Sequence, residues 1–343
     1  MDTEQGKDKE GTRTKKRRQR RVKEASGRVR QGKRTHLSHK PSLDWRADKV
    51  RVCIPEGDNA SVTPIGELMD LLYECRSGAS LIDSVATHGL DVFYDRQVPV
   101  AQFYPRPDKS IITLNPMRPR GDLLNLLIRE LRRCWQYHHG ALVNPLSYAP
   151  DEAVLLNRAQ TADTLMMAVR IAWELKLAGE NEAWNWLAGS PAADIGKAYE
   201  LRAQTDFRTL NNGEAARAAY DMFFEGTGVR IHDKRIIHQM LLDEGGYMRA
   251  AGAGPDVTSE IFMKLGELPH GRNYFLTQRG RSPVDQAYYT VKDRSNANFL
   301  WFIKFERSFH EKEREIIEKS VQLSAEIVDF ARWSVKTDVK TDR

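Results

Sequence analysis

Eleven residues near the middle of the chain, LLIRELRRCWQ (126–136), form the centre of its most regular apolar pattern. Apolar residues recur here at three- and four-residue spacing, which predicts an amphipathic helix with one face on a core. Asp122 is a suitable N-cap for this helix, and Gly140 is a suitable stop. The apolar stripe consists of Leu124, Leu127, Ile128, Leu131, Cys134, Trp135 and His138.

The segments before this helix have the composition of short β-strands. They are rich in β-branched and aromatic residues and are separated by turn residues, which predicts a small strand layer. Pro99 and Pro105 each remove a backbone donor, so we expect them at an edge strand or at strand limits. The predicted strands are KVRVCIPEG (49–57), DVFYD (91–95), VPVAQFYP (98–105) and SIITLNP (110–116).

Helical periodicity dominates the rest of the chain. A first helix is predicted from residue 61 to a stop at Gly78, with Pro64 in its first turn. Later helices are predicted at 151–177, 182–187, 192–201, 213–225, 233–243 and 259–268, and a final amphipathic helix at about 306–335. The expected fold is therefore α+β and predominantly α-helical, with a small strand layer.

Composition favours a water-soluble protein of the reducing cytoplasm. The 343 residues are 41% hydrophobic and 29% charged, with a mean hydropathy of −0.58. No apolar run approaches the roughly 18 residues of a membrane span, and we expect no signal peptide. Three scattered cysteines (Cys53, Cys75 and Cys134) provide neither a disulfide framework nor a metal knuckle.

The positive charge is concentrated at the N-terminus. Residues 1–40 carry 15 Lys or Arg and five Asp or Glu, whereas the remaining residues carry 38 and 42. Residues 13–34 alone hold 12 basic residues and one acid. We expect residues 1–45 to be a disordered basic arm, 46–285 the folded domain, and 286–343 a C-terminal helical extension.

Such an arm binds polyanions by counterion release, so nucleic acid is a possible partner of residues 13–34. It has no aromatic residues interleaved with the basic ones, which argues against stacking on single-stranded bases. A solvated tail with no dedicated role and attraction to an anionic membrane surface are the alternatives.

The central helix carries the sequence R-E-x-x-R at Arg129, Glu130 and Arg133. By itself this pattern predicts only an i,i+3 ion pair between Glu130 and Arg133. Zinc peptidases have H-E-x-x-H at such a position, where two histidines bind the metal and the glutamate activates water. The preceding strand, the short polar loop and the apolar helix match the local layout of a zinc-peptidase active site.

Several segments together resemble a bacterial family of zincin-like domains that is assigned to the metallopeptidases but is otherwise of unknown function. In that family the helix has the form H-E-L-R-H-x-x-Q, which corresponds to Arg129–Gln136 here. The further matching segments are TAD (161–163), IAWEL (171–175), EAW (182–184) and LGELPHGRNY (265–274), so the resemblance covers about residues 60–280. It implies a zincin-like metallopeptidase fold.

The chain departs from that family pattern at every expected zinc ligand. Arg129 and Arg133 replace the histidines, and an arginine has no free lone pair to bind a cation. The third ligand is expected 28 residues after Arg133, where Thr161 stands. Asp163 is close by in sequence, but two residues of helix turn it away from that face. The resemblance therefore implies a degenerate site without zinc, in which Glu130 is a vestigial general-base position.

The other histidines do not form a convincing ligand set. His138 and His139 are adjacent and diverge by about 100° on a helix, and His138 lies in the apolar stripe, where a core histidine is expected. His232 and His238 are six residues apart, a spacing that does not place them on one helical face. His36 and His39 fall in the basic arm.

Three functions are compatible with these observations. The first is a non-catalytic homologue that binds a peptide or protein, or acts as a scaffold, without a cofactor. A guanidinium of Arg129 or Arg133 would then replace the metal charge and pair with Glu130, and the arginine pair could hold a carboxylate or phosphate. The second is an active zinc metallopeptidase with unconventional ligands. The third is a nucleic-acid-associated adaptor that acts through the basic arm.

Overall fold

The computed structural model describes residues 39–41, 50–55, 63–242, 245–250, 254–277, 282 and 285–338. Most of the predicted N-terminal arm, residues 1–38, lies outside the described residues. His39–Pro41 forms a short strand, β1, that pairs antiparallel with the next strand.

A mixed sheet of five strands forms one layer of the described fold. The strands are β1, β2 (Val50–Pro55), β3 (Leu90–Tyr94), β4 (Ala101–Tyr104) and β5 (Ser110–Leu114), in the order β1-β2-β3-β5-β4. The β2–β3 and β3–β5 pairs are parallel, and β4 pairs antiparallel with β5. Strand β4 lies at the edge of the sheet, as Pro99 and Pro105 predicted.

Helices make up most of the described chain, which confirms the predicted predominantly helical α+β class. They are α1 (Ile65–Glu74), α2 (Arg76–Ala86), α3 (Arg120–His138), α4 (Pro150–Leu177), α5 (Glu182–Ala188), α6 (Ala193–Thr205), α7 (Thr209–Asn212), α8 (Glu214–Glu225), α9 (Val229–Leu241), α10 (Ser259–Leu265), α11 (Gln286–Tyr289) and α12 (Arg294–Asp338). Short 3-10 turns lie at Pro145–Ser147, Tyr247–Arg249 and Tyr274–Leu276.

Two predicted helix ends were wrong. Gly78 does not stop the first helix. Helix α1 ends at Glu74, Cys75 is extended, and Gly78 lies inside the next helix, α2. A Cβ at Gly78 would collide with the carbonyl oxygen of Leu72, so this glycine permits the close approach of α1 and α2. Asp122 does not cap α3, because the helix begins at Arg120 and Asp122 in its first turn accepts a hydrogen bond from Arg118 (2.5 Å).

The main core lies between the sheet and the α3–α4 pair. α3 packs against β4, β5, α4 and α5, and α4 is buried on nearly all sides by α3, α5, α8 and α9. Leu127, Ile128 and Leu131 of α3 are fully buried in this core, together with Ile112 and Leu114 of β5. The apolar stripe that predicted α3 therefore faces the sheet and α4.

Helix α12 begins 12 residues before its predicted start near Glu306. Leu300 and Ile303 are buried against Ile236 and Met240 of α9, so tertiary packing stabilises this first part of the helix. Among the described residues, every helix is either too short or too polar to cross a membrane.

Candidate functional site

Helix α3 presents the residues of its central motif to different surroundings. Arg129 lines a cavity together with His232 of α9, and Arg133 lines another together with Ile236 of α9. Arg132 and Gln136 instead turn into the buried contact with α4. A helix of 3.6 residues per turn separates adjacent positions by about 100°. Arg132 and Gln136 therefore point to a different side of α3 from Arg129 and Arg133.

Glu130 and Arg133 form the predicted ion pair. Arg133 Nη1 lies 2.9 Å from Glu130 Oε2 and 3.2 Å from Oε1. The Glu130 side chain is only 5% exposed, whereas that of Arg133 is 33% exposed. The carboxylate that would activate water in a zinc peptidase is therefore already neutralised by a guanidinium one turn along the same helix.

Arg129 lines a cleft of about 530 Å³ beside α3. Its side chain is partly buried, and its Nε is shielded from solvent without a hydrogen-bond partner among the described residues. Burial lowers the pKa of Arg129, Glu130 raises it, and Arg133 lowers it again. An arginine stays protonated in proteins, so the cleft holds a positive charge whose Nε donor has no acceptor among the described residues.

The apolar walls of this cleft come from five helices and the segment after α5. They include Leu126 of α3, Leu165 of α4, Trp186 of α5, Pro191, Ile195 of α6 and Phe223 of α8. A volume of this size falls within the roughly 300–1,000 Å³ typical of small-molecule and peptide pockets.

Arg133 and Thr161 line a different and smaller cavity, of about 300 Å³. The structure therefore brings the expected third-ligand position close to one of the two arginine positions. The Thr161 hydroxyl donates to the carbonyl of Asn157 (2.7 Å), which is an ordinary helical back-bond. Arg129, Arg133 and Thr161 thus form no common donor set.

Asp163 lies on the opposite side of α4, as its position two residues after Thr161 predicted. It accepts hydrogen bonds from Arg132 Nε (2.7 Å) and Nη2 (3.0 Å), from Gln136 Nε2 (2.7 Å) and from the Tyr274 hydroxyl (2.9 Å). The Arg132 and Asp163 side chains are both 0% exposed. This buried polar network was not predicted, although all its members lie in segments that carry the family resemblance.

The segment after α10 completes that network. Arg132 Nη2 also donates to the carbonyls of Leu265 and Glu267, each at 2.8 Å. A Cβ at Gly266 would collide with the Asn273 side chain and would lie 2.5 Å from Phe275 Cδ2. The LGELPHGRNY segment is therefore structural. Gly266 allows the segment to pack closely on its own Asn273, and the carbonyls on either side of Gly266 bind the buried Arg132 of α3.

A second matching segment is also structural. Glu174 accepts a hydrogen bond from the Ser77 backbone (2.8 Å) and another from its hydroxyl, which ties α4 to α2. Trp173 and Trp184 meet edge to face with ring centroids 5.2 Å apart, and Lys176 lies over both rings. These contacts explain why IAWEL and EAW occur together in one fold.

The sequence did not indicate His232 as a site residue. The structure places it on α9, where it lines the same cleft as Arg129. Burial and the charges of Arg129, Arg235 and Arg133 lower the pKa of His232 to about 4, so its imidazole is neutral at pH 7. His138 is not a core residue, because it is only partly buried, stacks on His88 (4.1 Å) and lies 3.2 Å from the Ser110 hydroxyl.

The fold and site together define a helical α+β domain whose central helix carries a buried glutamate, Glu130, between Arg129 and Arg133. Residues 47–276 match the family described as "Putative metallopeptidase family (DUF6782)", and the chain belongs to this family. No curated protein and no solved structure matches the chain.

The zinc that a metallopeptidase requires does not fit the residues at this site. Two of the positions have guanidinium groups, which cannot donate a lone pair, and the Glu130 carboxylate is paired with Arg133. A divalent cation at this place would also meet the repulsion of both arginines. Within the described part of the chain, no three His, Cys, Asp or Glu residues are grouped in a way that could hold a metal ion.

Proposed function

We propose that this chain is a non-catalytic member of its family that binds a peptide or protein in the cleft beside α3. The ion pair between Glu130 and Arg133 is the main observation that supports this proposal. A general base must accept a proton from metal-bound water, whereas both oxygens of the Glu130 carboxylate already accept hydrogen bonds from Arg133. The apolar cleft next to it keeps the shape of a binding site without the reactive groups.

Metal content provides the test. Purified, untagged protein is examined by plasma mass spectrometry beside an Arg129→His/Arg133→His/Thr161→Glu variant, which restores the family's ligand types. We expect no zinc above background in the native protein and zinc in the variant. An Arg202→His/Arg208→His variant, which changes two exposed arginines on and after α6, is the matched control for adventitious binding by new histidines.

Near-stoichiometric zinc in the native protein would refute the proposal and favour the alternative, an active metallopeptidase with unconventional ligands. Hydrolysis of unstructured peptides by the native protein, abolished by Glu130→Gln, would have the same meaning.

The charge of residues 13–34 supports a second and separate role as a nucleic-acid tether. Twelve basic residues in this range neutralise phosphates regardless of base sequence. This role requires nothing of the cleft, so the two proposals are tested independently.

We also propose a cytoplasmic location. Cys75 and Cys134 are both buried as free thiols, and burial raises the pKa of each to about 12. Such thiols are unreactive packing groups, which suits a reducing compartment.

A further inference from the structure

The cleft beside α3 has an excess of positive charge. Two carboxylates, Asp122 and Glu130, act on Arg129, and each is already paired, with Arg118 and Arg133 respectively. Arg133 and the exposed Arg235 add further positive charge nearby. Four guanidiniums therefore face two carboxylates in and around the cleft, and the guanidinium of Arg129 is the one with an unsatisfied, solvent-shielded donor.

The unsatisfied donor is unfavourable unless a ligand completes it. A buried N–H without an acceptor costs about 1–3 kcal/mol, and charged groups cost more. The planar guanidinium matches a carboxylate, which accepts two parallel hydrogen bonds from its fork. Nothing within the described residues supplies that acceptor to Arg129 Nε.

The surroundings of Arg129 indicate which anion fits. Arg118 also lines the cleft but is already paired with Asp122, and the neutral imidazole of His232 adds no charge. Arg129 is therefore the cationic donor that remains, which suits a singly charged anion better than a phosphate dianion. The walls formed by Leu126, Trp186 and Phe223 favour an apolar body attached to the anion.

We propose that this cleft binds the carboxylate of an apolar ligand, with Arg129 as the anchor and the walls of α5, α6 and α8 as the side-chain pocket. A free peptide C-terminus and a small free acid both provide this chemistry. The proposal rests on the proposed function only in assigning ligand binding to this cleft.

Calorimetric titration of the full chain tests the proposal with three probes. They are an N-acetylated Leu-Leu-Phe tripeptide with a free carboxylate, the same tripeptide as its C-terminal amide, and octanoate. We expect the free acid to bind at least tenfold more tightly than the amide, because only the acid completes Arg129. Tighter binding of the tripeptide than of octanoate identifies a peptide C-terminus as the source, and the reverse identifies a small acid.

Three variants locate the binding. Arg129→Met removes the anchor at nearly constant side-chain size. It should weaken binding of the free acid at least tenfold and leave the affinity for the amide unchanged. Arg129→Lys keeps the charge without the fork and should be intermediate. Arg120→Met, which removes a partly exposed arginine paired with Glu180 and Glu182, is the matched control and should bind like the native protein.

The native protein provides a second readout that does not depend on the folding of a variant. A carboxylate beside Arg129 favours the charged imidazole, so the free acid should raise the pKa of His232 above its value of about 4, and the amide should not. Proton NMR measures this shift. Equal binding of acid and amide, no binding of any probe, or an unchanged His232 would each overturn the proposal.

The outcomes separate this proposal from the proposed function. Zinc in the native protein together with Arg129-dependent carboxylate binding would refute the non-catalytic role and leave the anchor standing. Absence of zinc together with equal binding of acid and amide would leave the non-catalytic role standing and refute the Arg129 anchor.

Discussion

Replacement of Asp163 by asparagine should be among the most damaging single changes in this protein. Asp163 accepts four hydrogen bonds, from Arg132, Gln136 and Tyr274, and neither it nor Arg132 is exposed. The Asp163→Asn variant keeps the shape but removes the negative charge, and its amide NH₂ would face one of the donors. Loss of one partner from a buried ion pair costs about 3–5 kcal/mol, because the other charge is left without compensation.

That cost is large relative to the roughly 5–15 kcal/mol by which folded domains are stable. It corresponds to a fall in the melting temperature on the order of 10 °C for a domain of this size. Urea unfolding followed by circular dichroism measures the free energy of unfolding of the native protein and the variant. Asp194→Asn is the matched control, since Asp194 is 70% exposed and 3.7 Å from Lys197. We expect Asp194→Asn to change the free energy of unfolding by less than about 0.5 kcal/mol.

A graded variant covers the case in which Asp163→Asn does not fold. Tyr274→Phe removes one hydrogen bond of the same carboxylate and should cost about 0.5–1.5 kcal/mol. A loss below about 1 kcal/mol for Asp163→Asn, or one no greater than that of Asp194→Asn, would refute the conclusion that this network holds α3, α4 and the segment after α10 together.

Other expected outcomes concern packing, pH and the N-terminal arm. Gly266→Ala should cost about 1–3 kcal/mol in urea unfolding, because its Cβ would collide with Asn273, whereas Gly66→Ala, which has open space on α1, should stabilise by up to about 1 kcal/mol; equal effects would contradict the proposed close contact. His232 should titrate by NMR with a pKa of about 4 instead of 6.5, so its contribution to stability is full above pH 6.5 and is lost as the pH falls toward 4. His232→Gln should flatten that acid dependence, and an unchanged pH profile would place the titration elsewhere. Deletion of residues 1–40 should abolish a steeply salt-dependent binding to duplex nucleic acid in a fluorescence titration, and persistence of that binding would exclude the arm.

Local periodicity was sufficient to predict most elements. The stripe through Leu127 and Leu131 predicted α3, and the long pattern at 151–177 predicted α4 to within one residue at its start. These predictions succeed because a helix buries every third or fourth residue, a property of local sequence. The predictions at Gly78 and Asp122 failed because a close approach in one case, and Arg118 in the other, determined the structure there.

In the candidate site too, local sequence predicted some features and could not predict others. The Glu130–Arg133 pair could be predicted because both residues lie on one helix, three positions apart. The turning of Asp163 away from Thr161 followed from helix geometry as well. The distant members of the buried network could not be predicted. Leu265 accepts from Arg132, and Tyr274 donates to Asp163, although each partner is more than 100 residues away along the chain and comes close only in the folded protein.

The sequence by itself determined the helical α+β class, the family, the R-E-x-x-R pattern of the central helix and the charge of residues 1–40, because each depends on residue identity and local spacing. Only the tertiary structure decided that the Glu130 carboxylate is buried, and that Arg129 Nε has no acceptor among the described residues in an apolar cleft beside His232. Two arginines of identical chemistry have different roles here because burial, available acceptors and the surrounding charges depend on elements that meet only in the folded protein.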